Sequence, residues 1–344
     1  MVQNLEWAWV SAFADVFERC AMQASETIVV LSESQSRADN VQLAKLALGA
    51  LKLPFYALEL PSPPDPTGPI VKSSGATLAL TGQAAAVRAL QDADVVIDLT
   101  VEGLMHAPET ASILQSGARI MNISHEHPAV LARLAPCDDL KTYAKAAVKQ
   151  IRAAQVMTVQ SNAGTDLRVN MQGAATVGVW GWTDRPGTLA HWPGGIIVSF
   201  PKPGSVNGQI VFQPGDINLT FKRYFESRVA ADMLDDFVCN ISGQGADAKL
   251  MHEYFASFGD ANAYATSHVG WGFNPNAQYE ALTMYDKADT NGTELRALAG
   301  NFLYSTGANE FAGRFTRGHF DLPMLGCDIA LDGELVVAQG ALVP

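Results

Sequence analysis

Three residues of the sequence are candidates for metal ligands. His319 and Asp321 are separated by a single residue near the C-terminal end of the sequence. Because strand side chains alternate between two faces, an extended segment here would place both of them on one face. Upstream, His268 lies among small residues in Ser267-His268-Val269-Gly270, where a backbone or ligand can approach closely. Two His and one Asp form the ligand set of a non-haem Fe(II) facial triad, which leaves coordination positions open.

The spacing alone leaves a structural alternative open. A His and an Asp one residue apart also occur in ordinary strands, where the His is solvated and the Asp caps a neighbouring turn. A second His far away in the sequence adds little to such a pair. On pattern alone, the metal site and the ordinary strand are both open.

The first third of the sequence alternates helical and extended patterns. Apolar residues recur at helical spacing in residues 5–20, 41–51 and 81–90. Short apolar runs that indicate strands lie between and after them, at residues 27–31, 55–60, 93–99 and 118–123. Strands that alternate with helices predict a Rossmann-like, mostly parallel α/β sheet covered on both faces. The prolines within residues 61–69 predict an extended loop after the second strand.

This half carries no nucleotide-binding motif. Neither G-x-G-x-x-G nor G-x-x-x-x-G-K-[ST] occurs in the sequence, so a nucleotide site is not supported. His106 follows the third predicted strand, and open α/β sheets bind ligands at the carboxyl ends of their strands. His106 is therefore a candidate site residue, and a solvated loop His is the alternative.

Two further His flank an acidic residue before a proline. His125 and His127 surround Glu126, and Pro128 follows directly. Because proline is favoured at the first position of a helix, we interpret this segment as a surface turn from which a helix begins.

The sequence changes character after about residue 153. A helix through Tyr143 and Ile151 leads into a region that is dense in Gly and in short strand patterns, with a hairpin turn at residues 163–166. The Asp332-Gly333 pair between apolar runs also predicts a hairpin. We therefore expect an α/β domain over residues 1–153. A metal-binding α+β domain with a curved antiparallel sheet or partial barrel would follow over residues 154–344.

Composition excludes several classes of function. The chain has 344 residues, 48% of them hydrophobic, and a formal net charge of −12 with no basic run. This charge argues against nucleic-acid binding and against binding to anionic membranes.

The cysteines and the N-terminal residues bear on the compartment. The four cysteines are scattered and form no C-x-x-C pair, which argues against a zinc knuckle or a disulfide framework. The first residues lack the basic and apolar regions of a signal peptide, and no apolar run approaches the length of a membrane span. We expect a soluble, cytoplasmic, unprocessed protein that forms a homo-oligomer.

A series of segments carries a family resemblance. In this order they resemble the 2,5-dihydroxypyridine 5,6-dioxygenases of nicotinate catabolism, over nearly the whole chain: Gly164-Thr165-Asp166, His191-Trp192-Pro193, Gly215-Asp216-Ile217, Ser267-His268-Val269-Gly270-Trp271-Gly272, Gly300-Asn301-Phe302-Leu303-Tyr304-Ser305-Thr306-Gly307 and His319-Phe320-Asp321. The resemblance implies the fold of the thermophilic-type metallo-aminopeptidases. It also implies one Fe(II) held by His268, His319 and Asp321.

The same resemblance implies substrate-pocket roles for His106, His191 and Arg296, all of which are present. One position departs from the family pattern, because a Glu of that pattern falls near Val179. This loss of a carboxyl leaves open a related hydroxylated pyridine or another electron-rich ring as the substrate.

The implied reaction is ring cleavage of 2,5-dihydroxypyridine by O2 between C5 and C6, which yields N-formylmaleamate. Arg296 would anchor the C2 oxygen or stabilise developing negative charge, and His106 or His191 would transfer the hydroxyl proton. A surface Arg296 and a packed, structural His191 are the alternatives.

Two other functions remain as alternatives. A metallo-aminopeptidase of the same fold would need carboxylates for a second metal and a Glu that activates water. Near the matching positions the sequence has Gly194-Gly195-Ile196 instead. A binding protein without catalysis is the other alternative, and the unbroken set of ligand candidates argues against it.

Overall fold

The computed structural model describes residues 5–63 and 75–344. Within these ranges the helices are α1 (Trp7–Arg19), α2 (Ala38–Ala50), α3 (Ala84–Gln91), α4 (Thr110–Gln115), α5 (Pro128–Arg133), α6 (Asp138–Ala153), α7 (Gly245–Ser257), α8 (Ala281–Met284) and α9 (Thr293–Arg296). Short 3-10 helices are Ala261–Tyr264, Lys287–Asp289 and Glu310–Ala312.

The strands of the described residues are β1 (Ile28–Glu33), β2 (Phe55–Leu60), β3 (Val95–Asp98), β4 (Arg119–Ile123), β5 (Val156–Ser161), β6 (Asp166–Asn170), β7 (Ala175–Val179), β8 (Leu189–Trp192), β9 (Ile196–Phe200), β10 (Val206–Phe212), β11 (Ile217–Asn218), β12 (Arg223–Tyr224), β13 (Val229–Leu234), β14 (Phe237–Gly243), β15 (Thr266–Gly272), β16 (Phe302–Asn309), β17 (Arg314–Met324), β18 (Cys327–Leu331), β19 (Glu334–Ala338) and β20 (Ala341–Leu342).

The N-terminal part is built on a parallel sheet in the order β2-β1-β3-β4-β8. Strands β1, β3 and β4 are buried along their whole length. Alternate residues of β1 enter separate cores: Val30 packs with α1 and α2, whereas Val29 packs with apolar residues of α3 and α4. Burial on both faces explains the continuous apolar runs in the sequence. The predicted parallel α/β sheet is confirmed.

Strand β8 was not predicted from the sequence. It pairs in parallel with β4, with His191 opposite Asn122. Its residues include no β-branched side chain, and its partner strand lies more than sixty positions earlier in the sequence. The strand also follows the expected boundary at residue 153, so the parallel sheet takes its edge strand from the second half of the chain. The division into domains stays a prediction.

Besides the short antiparallel pair β11-β12, the C-terminal part contains two antiparallel sheets. One has the order β14-β13-β10-β6-β5-β18-β19-β20, and the other has the order β17-β16-β15-β9-β7. A single core cluster lies between them and includes Val159 and Val169 from the first sheet and Trp271, Tyr304 and Phe320 from the second. The expected antiparallel C-terminal region is confirmed.

Local signals in the sequence also predicted several turns. Asp332 and Gly333 both have positive φ, as a two-residue hairpin turn of type I′ requires. Helix α5 begins at Pro128, with His127 as its N-cap. Of the predicted proline loop, Pro64, Pro66 and Pro69 lie outside the described residues. Among the described residues, no helix is both long enough and apolar enough to cross a membrane.

Candidate metal centre and active site

The register of three adjacent strands brings His268 and Asp321 together. His268 on β15 lies opposite Ser305 on the central strand β16, and Ser305 lies opposite Asp321 on β17. Residues directly opposite in an antiparallel sheet point to the same face. The small, fully buried Ser305 therefore separates the two candidate ligands without filling the space above the sheet.

His319 joins them from the same face of β17, two residues before Asp321. Its backbone is clamped by Tyr254, whose hydroxyl donates to the His319 carbonyl at 2.7 Å and accepts from its N–H at 2.9 Å. Gly307 lies opposite His319 with φ +114, and a Cβ there would lie 1.9 Å from the Gly318 carbonyl oxygen. Only glycine allows the two strands to approach so closely at this point.

The three side chains form a buried cluster of potential ligand atoms. His268 Nε2 lies 3.5 Å from Asp321 Oδ1, and His319 Nε2 lies 3.2 Å from Asp321 Oδ2. One ligand atom from each residue falls within 4.8 Å of the others. Asp321 Oδ1 is buried and has no hydrogen-bond partner among the described residues. Because an unpaired buried carboxylate oxygen is costly, this atom fits the role of a cation ligand.

Ionisation of the cluster also fits metal binding. Burial alone would raise the pKa of Asp321, but the neighbouring His319 and Arg296 outweigh it and hold that pKa well below its usual value. Burial lowers the pKa of His268 to about 3, with Asp321 opposing the shift. Asp321 is therefore an anion and His268 a neutral imidazole near pH 7, the forms in which both residues bind metals.

Arg296 lies directly against the candidate ligands. Its Nε donates to Asp321 Oδ2 at 2.6 Å, and its side chain is only 12% exposed. Arg296 is the last residue of α9, and Asn301 donates to the carbonyls of Leu295 and Arg296 at the end of that helix. Arg296 is thus not a surface residue, and its charge lies at the site.

His106 reaches the cluster from the loop after β3. Its ring centroid is 5.2 Å from that of His319, and its Nδ1 donates to Glu310 Oε1 at 3.1 Å. Burial would raise the pKa of Glu310, but the hydrogen bond from His106 and the charges of His106 and His319 together outweigh it, and the pKa lies below its ordinary value. An ionised Glu310 therefore fixes the orientation of the His106 ring.

His191 is buried at the carboxyl end of β8. Its Nδ1 donates to the Pro193 carbonyl at 2.8 Å, so its Nε2 carries the lone pair. Burial lowers the pKa of His191 to about 4, and the charges of Arg296 and His106 contribute to this shift. All six candidate residues predicted from the sequence thus lie in one region. The carboxyl ends of β3 and β8 meet the β17-β16-β15 face there.

Other residues of the site were not found from the sequence. Glu310 lies in a 3-10 helix and belongs to no recognisable sequence motif. Ser305 belongs to a predicted strand, and nothing in the sequence marks it as a site residue. A cavity of about 370 Å³ opens beside His319 and His106 and is lined further by Glu310, Phe315 and Arg317. This cavity provides space for a small molecule next to the candidate ligands.

The position near the expected family Glu lies in an apolar part of the same sheet. Val179 on β7 pairs with Ile196 on β9 and packs against a cluster that includes Val198 and Phe200. The Phe200 ring contacts the His268 ring edge-on, with centroids 5.5 Å apart. An apolar cluster therefore extends from Val179 to the edge of the candidate metal site.

Comparisons with known proteins identify the family of the chain. The family model described as "NicX: 2,5-dihydroxypyridine 5,6-dioxygenase" matches residues 8–344. A 2,5-dihydroxypyridine 5,6-dioxygenase of Pseudomonas putida (strain KT2440) is 37% identical over 335 residues, which cover 96% of this chain and 95% of that protein.

Solved structures give the same picture. The structure of 2,5-dihydroxypyridine dioxygenase from Pseudomonas putida KT2440 has a TM-score of 0.91 at 35% identity and covers 99% of this chain and 98% of that one. Wild-type AmpT from Thermus thermophilus has a TM-score of 0.65 at 12% identity and covers 98% of this chain and 99% of that one. The second likeness is one of fold alone.

Proposed function

The chain belongs to the 2,5-dihydroxypyridine 5,6-dioxygenase family, and from this premise we propose that it is an Fe(II)-dependent enzyme that cleaves a dihydroxypyridine ring with O2. The first candidate substrate is 2,5-dihydroxypyridine. Cleavage between C5 and C6 with incorporation of both oxygen atoms gives N-formylmaleamate. The observation that carries the proposal is the buried cluster of His268, His319 and Asp321 beside a cavity of ligand size.

The metal would be held by His268 Nε2, His319 Nε2 and Asp321 Oδ1, which has no hydrogen-bond partner among the described residues. The other oxygen, Oδ2, accepts from Arg296, which leaves Oδ1 for the metal. When bound, Fe(II) supplies the redox chemistry and the open positions that a reaction with O2 requires. The comparisons support an oxygenase, and the identity of the metal is part of the proposal.

Arg296 would act on both the protein and the substrate. It orients Asp321 through the 2.6 Å contact, and its permanent charge lies near His191. A guanidinium in this position favours a ring oxygen that carries negative charge, such as the C2 oxygen of the substrate.

His106 and His191 would accept protons or hydrogen bonds from the substrate. His106 donates Nδ1–H to Glu310, so its Nε2 is the nitrogen that accepts a proton from a ring hydroxyl. His191 Nε2 carries a lone pair and would accept a hydrogen bond from an N–H or O–H of the substrate.

No observation favours the aminopeptidase alternative. In the part of the chain that the structure describes, one group of His, Cys, Asp and Glu could hold a metal, and it provides three ligands. A second metal would lack a comparable set, and the likeness to AmpT extends to the fold alone.

A metal exchange experiment tests the proposal. Protein stripped of metal and refilled anaerobically with Fe(II) should consume one O2 per 2,5-dihydroxypyridine when air is admitted, and the ultraviolet absorbance of the ring should bleach. The Zn²⁺ form is the control, since Zn²⁺ has no redox chemistry, and it should give neither signal. If the Fe(II) form consumes no O2 with any dihydroxypyridine tested, or if the Zn²⁺ form hydrolyses amino-acid amides, the proposed function is wrong.

A further inference from the structure

Glu126 is a buried carboxylate whose partners are backbone N–H groups. It lies in the loop after β4 and is 1% exposed. Its Oε2 accepts from the N–H of Asn291 at 2.9 Å, and its Oε1 accepts from Gly292 at 2.8 Å and from Thr293 at 2.7 Å. Because a buried carboxylate is stable only when such donors converge on it, Glu126 and this turn fix each other's positions.

The turn that Glu126 holds leads directly to Arg296. Gly292 adopts φ +100 at the entrance of α9, and its carbonyl accepts from the Arg296 N–H at 3.1 Å. Asn291 Oδ1 lies 3.4 Å from Arg296 Nη1. Helix α9 is a single turn, so its first residues and Arg296 move together.

Arg296 in turn holds the candidate ligand Asp321 through the 2.6 Å contact from Nε to Oδ2. A continuous series of short contacts therefore runs from Glu126 through one helical turn and Arg296 to Asp321. A shift of the turn would rotate the Asp321 carboxylate, and with it Oδ1, the candidate ligand atom.

The other end of the series is anchored in the N-terminal part of the chain, by α2 and the loop after β4. Asn40 Nδ2 donates to the Glu126 carbonyl at 3.0 Å, and the Thr293 hydroxyl donates to Ser124 Oγ at 3.0 Å. Asn40, Ser124 and Glu126 are all buried. The N-terminal part of the chain contributes none of the three candidate ligands, yet it fixes the helix that orients one of them.

We propose that Glu126 is a positioning residue of the metal centre, which acts through Arg296 on the Asp321 carboxylate. The inference rests on the proposed metal site. Glu is specific for this role because a Gln amide would turn an NH2 group towards a backbone N–H and lose one acceptor.

Co²⁺ binding provides a test that needs no turnover. Metal-free protein is titrated with Co²⁺, and the dissociation constant is read from the Co²⁺ absorption bands. Residues that orient metal ligands usually change metal affinity by about 10–100-fold when replaced, and for Glu126→Gln we expect a loss of about tenfold. Circular dichroism and thermal unfolding verify that each variant is folded.

A matched control is Asp247→Asn. Asp247 is likewise a buried carboxylate that accepts backbone N–H groups, from Glu226 and Ser227 at 2.9 Å each. Its replacement removes the same kind of turn contact, and we expect the Co²⁺ affinity to stay within about twofold of the wild-type value, since the groups that Asp247 contacts, in Arg223, Glu226 and Ser227, lie outside the α9 segment.

A double substitution separates positioning from general stability. In an Arg296→Met background, which breaks the series, adding Glu126→Gln should change the Co²⁺ affinity by less than about twofold, because residues that act in series are not additive. A persistent tenfold effect in that background would overturn the proposal, as would wild-type affinity of a folded Glu126→Gln protein.

If Glu126→Gln does not fold, Glu126→Asp takes its place. It keeps the charge but withdraws the carboxylate by one methylene. It should weaken Co²⁺ binding in the wild-type background and should have little effect in the Arg296→Met background. Unchanged affinity in this variant also overturns the inference. If the wild-type protein itself binds no Co²⁺, the proposed metal centre fails, which is distinguishable from failure of the role of Glu126.

Discussion

Asp321 has two oxygens in different situations. Oδ2 accepts from Arg296 and lies 3.2 Å from His319 Nε2, whereas Oδ1 is buried without a hydrogen-bond partner among the described residues. A carboxylate held on one side by a permanent cation keeps its charge and its orientation. The other side is then available to a metal together with His268, so the roles of the two oxygens are separated by geometry.

At the scale of single residues, we predict that His319→Ala abolishes iron retention. Two remaining ligands provide too few bonds to hold Fe(II) against water and chelators. Elemental analysis of protein purified with Fe(II) should show less than about a tenth of the iron found in wild type. His252→Ala is the control, since His252 is exposed on α7. A full equivalent of iron in His319→Ala would remove His319 from the ligand set.

A second prediction at the residue scale concerns pH and Asp216. Burial raises the pKa of Asp216 to about 6, although the N–H groups of Leu325 and Gln213 donate to it. The folded pKa lies above the unfolded value of 3.8, so the stabilising contribution is fully present below about pH 4 and is lost as the pH rises through about 6. The largest contribution that this group can make to the free energy of unfolding is about 3 kcal/mol. The free energy of unfolding in urea, compared with Asp216→Asn, should show this loss between pH 4 and 7. Parallel pH dependences of the two proteins would contradict the shift.

The element that assembles the metal ligands is the β15-β16-β17 row, and Ser305 is its centre. A larger side chain at 305 would enter the space between His268 and Asp321, which lie on the same face. We predict that Ser305→Leu loses Co²⁺ binding and that overpacking lowers its stability by about 1–3 kcal/mol. Ser305→Ala, which adds no volume, should bind Co²⁺ like wild type. Tight binding by a folded Ser305→Leu protein would show that the ligands do not meet above residue 305.

Prediction from the sequence succeeded where the information is local. Alternation along a strand correctly placed His319 and Asp321 on one face, and the apolar runs correctly located β1 to β4. The pairing of His268 with Ser305 depends on register between distant strands, which no local pattern specifies. His268 was a candidate from its small neighbours alone, and the family resemblance then implied that it joins His319 and Asp321 in the ligand set.

Glu126 is a second residue whose contacts cannot be predicted from local sequence patterns. The segment was interpreted as a surface turn, and the start of α5 at Pro128 is confirmed, but Glu126 itself is 1% exposed. Its partners are backbone N–H groups 165 to 167 positions later in the chain. Backbone donors carry no side-chain signature, so sequence patterns cannot reveal such a contact. The one available signal was its location just beyond the carboxyl end of a buried parallel strand.

At the scale of the whole molecule, the site belongs to neither half alone. The three candidate metal ligands come from the antiparallel sheet. His106 and Glu126 follow strands of the parallel sheet, and His191 lies on β8. Strand β8 belongs to the parallel sheet although it follows residue 153 in sequence. The expected homo-oligomer stays a prediction, as does the division at 153/154.

Because β8 belongs to the parallel sheet but follows residue 153, a last prediction concerns a fragment of residues 1–153. Trp192 of β8 is fully buried, and its ring centroid is 5.1 Å from that of Phe13 in α1. Loss of a large buried aromatic costs about 3–5 kcal/mol, a large part of the 5–15 kcal/mol that usually stabilises a domain. The fragment would also expose β4 as an edge strand although every residue of β4 is buried in the intact chain. We therefore expect the 1–153 fragment to aggregate or to unfold without cooperativity in urea, whereas a 1–195 fragment that restores β8 should be more soluble. Cooperative unfolding of the 1–153 fragment at the midpoint of the intact chain would show that its core is complete without β8.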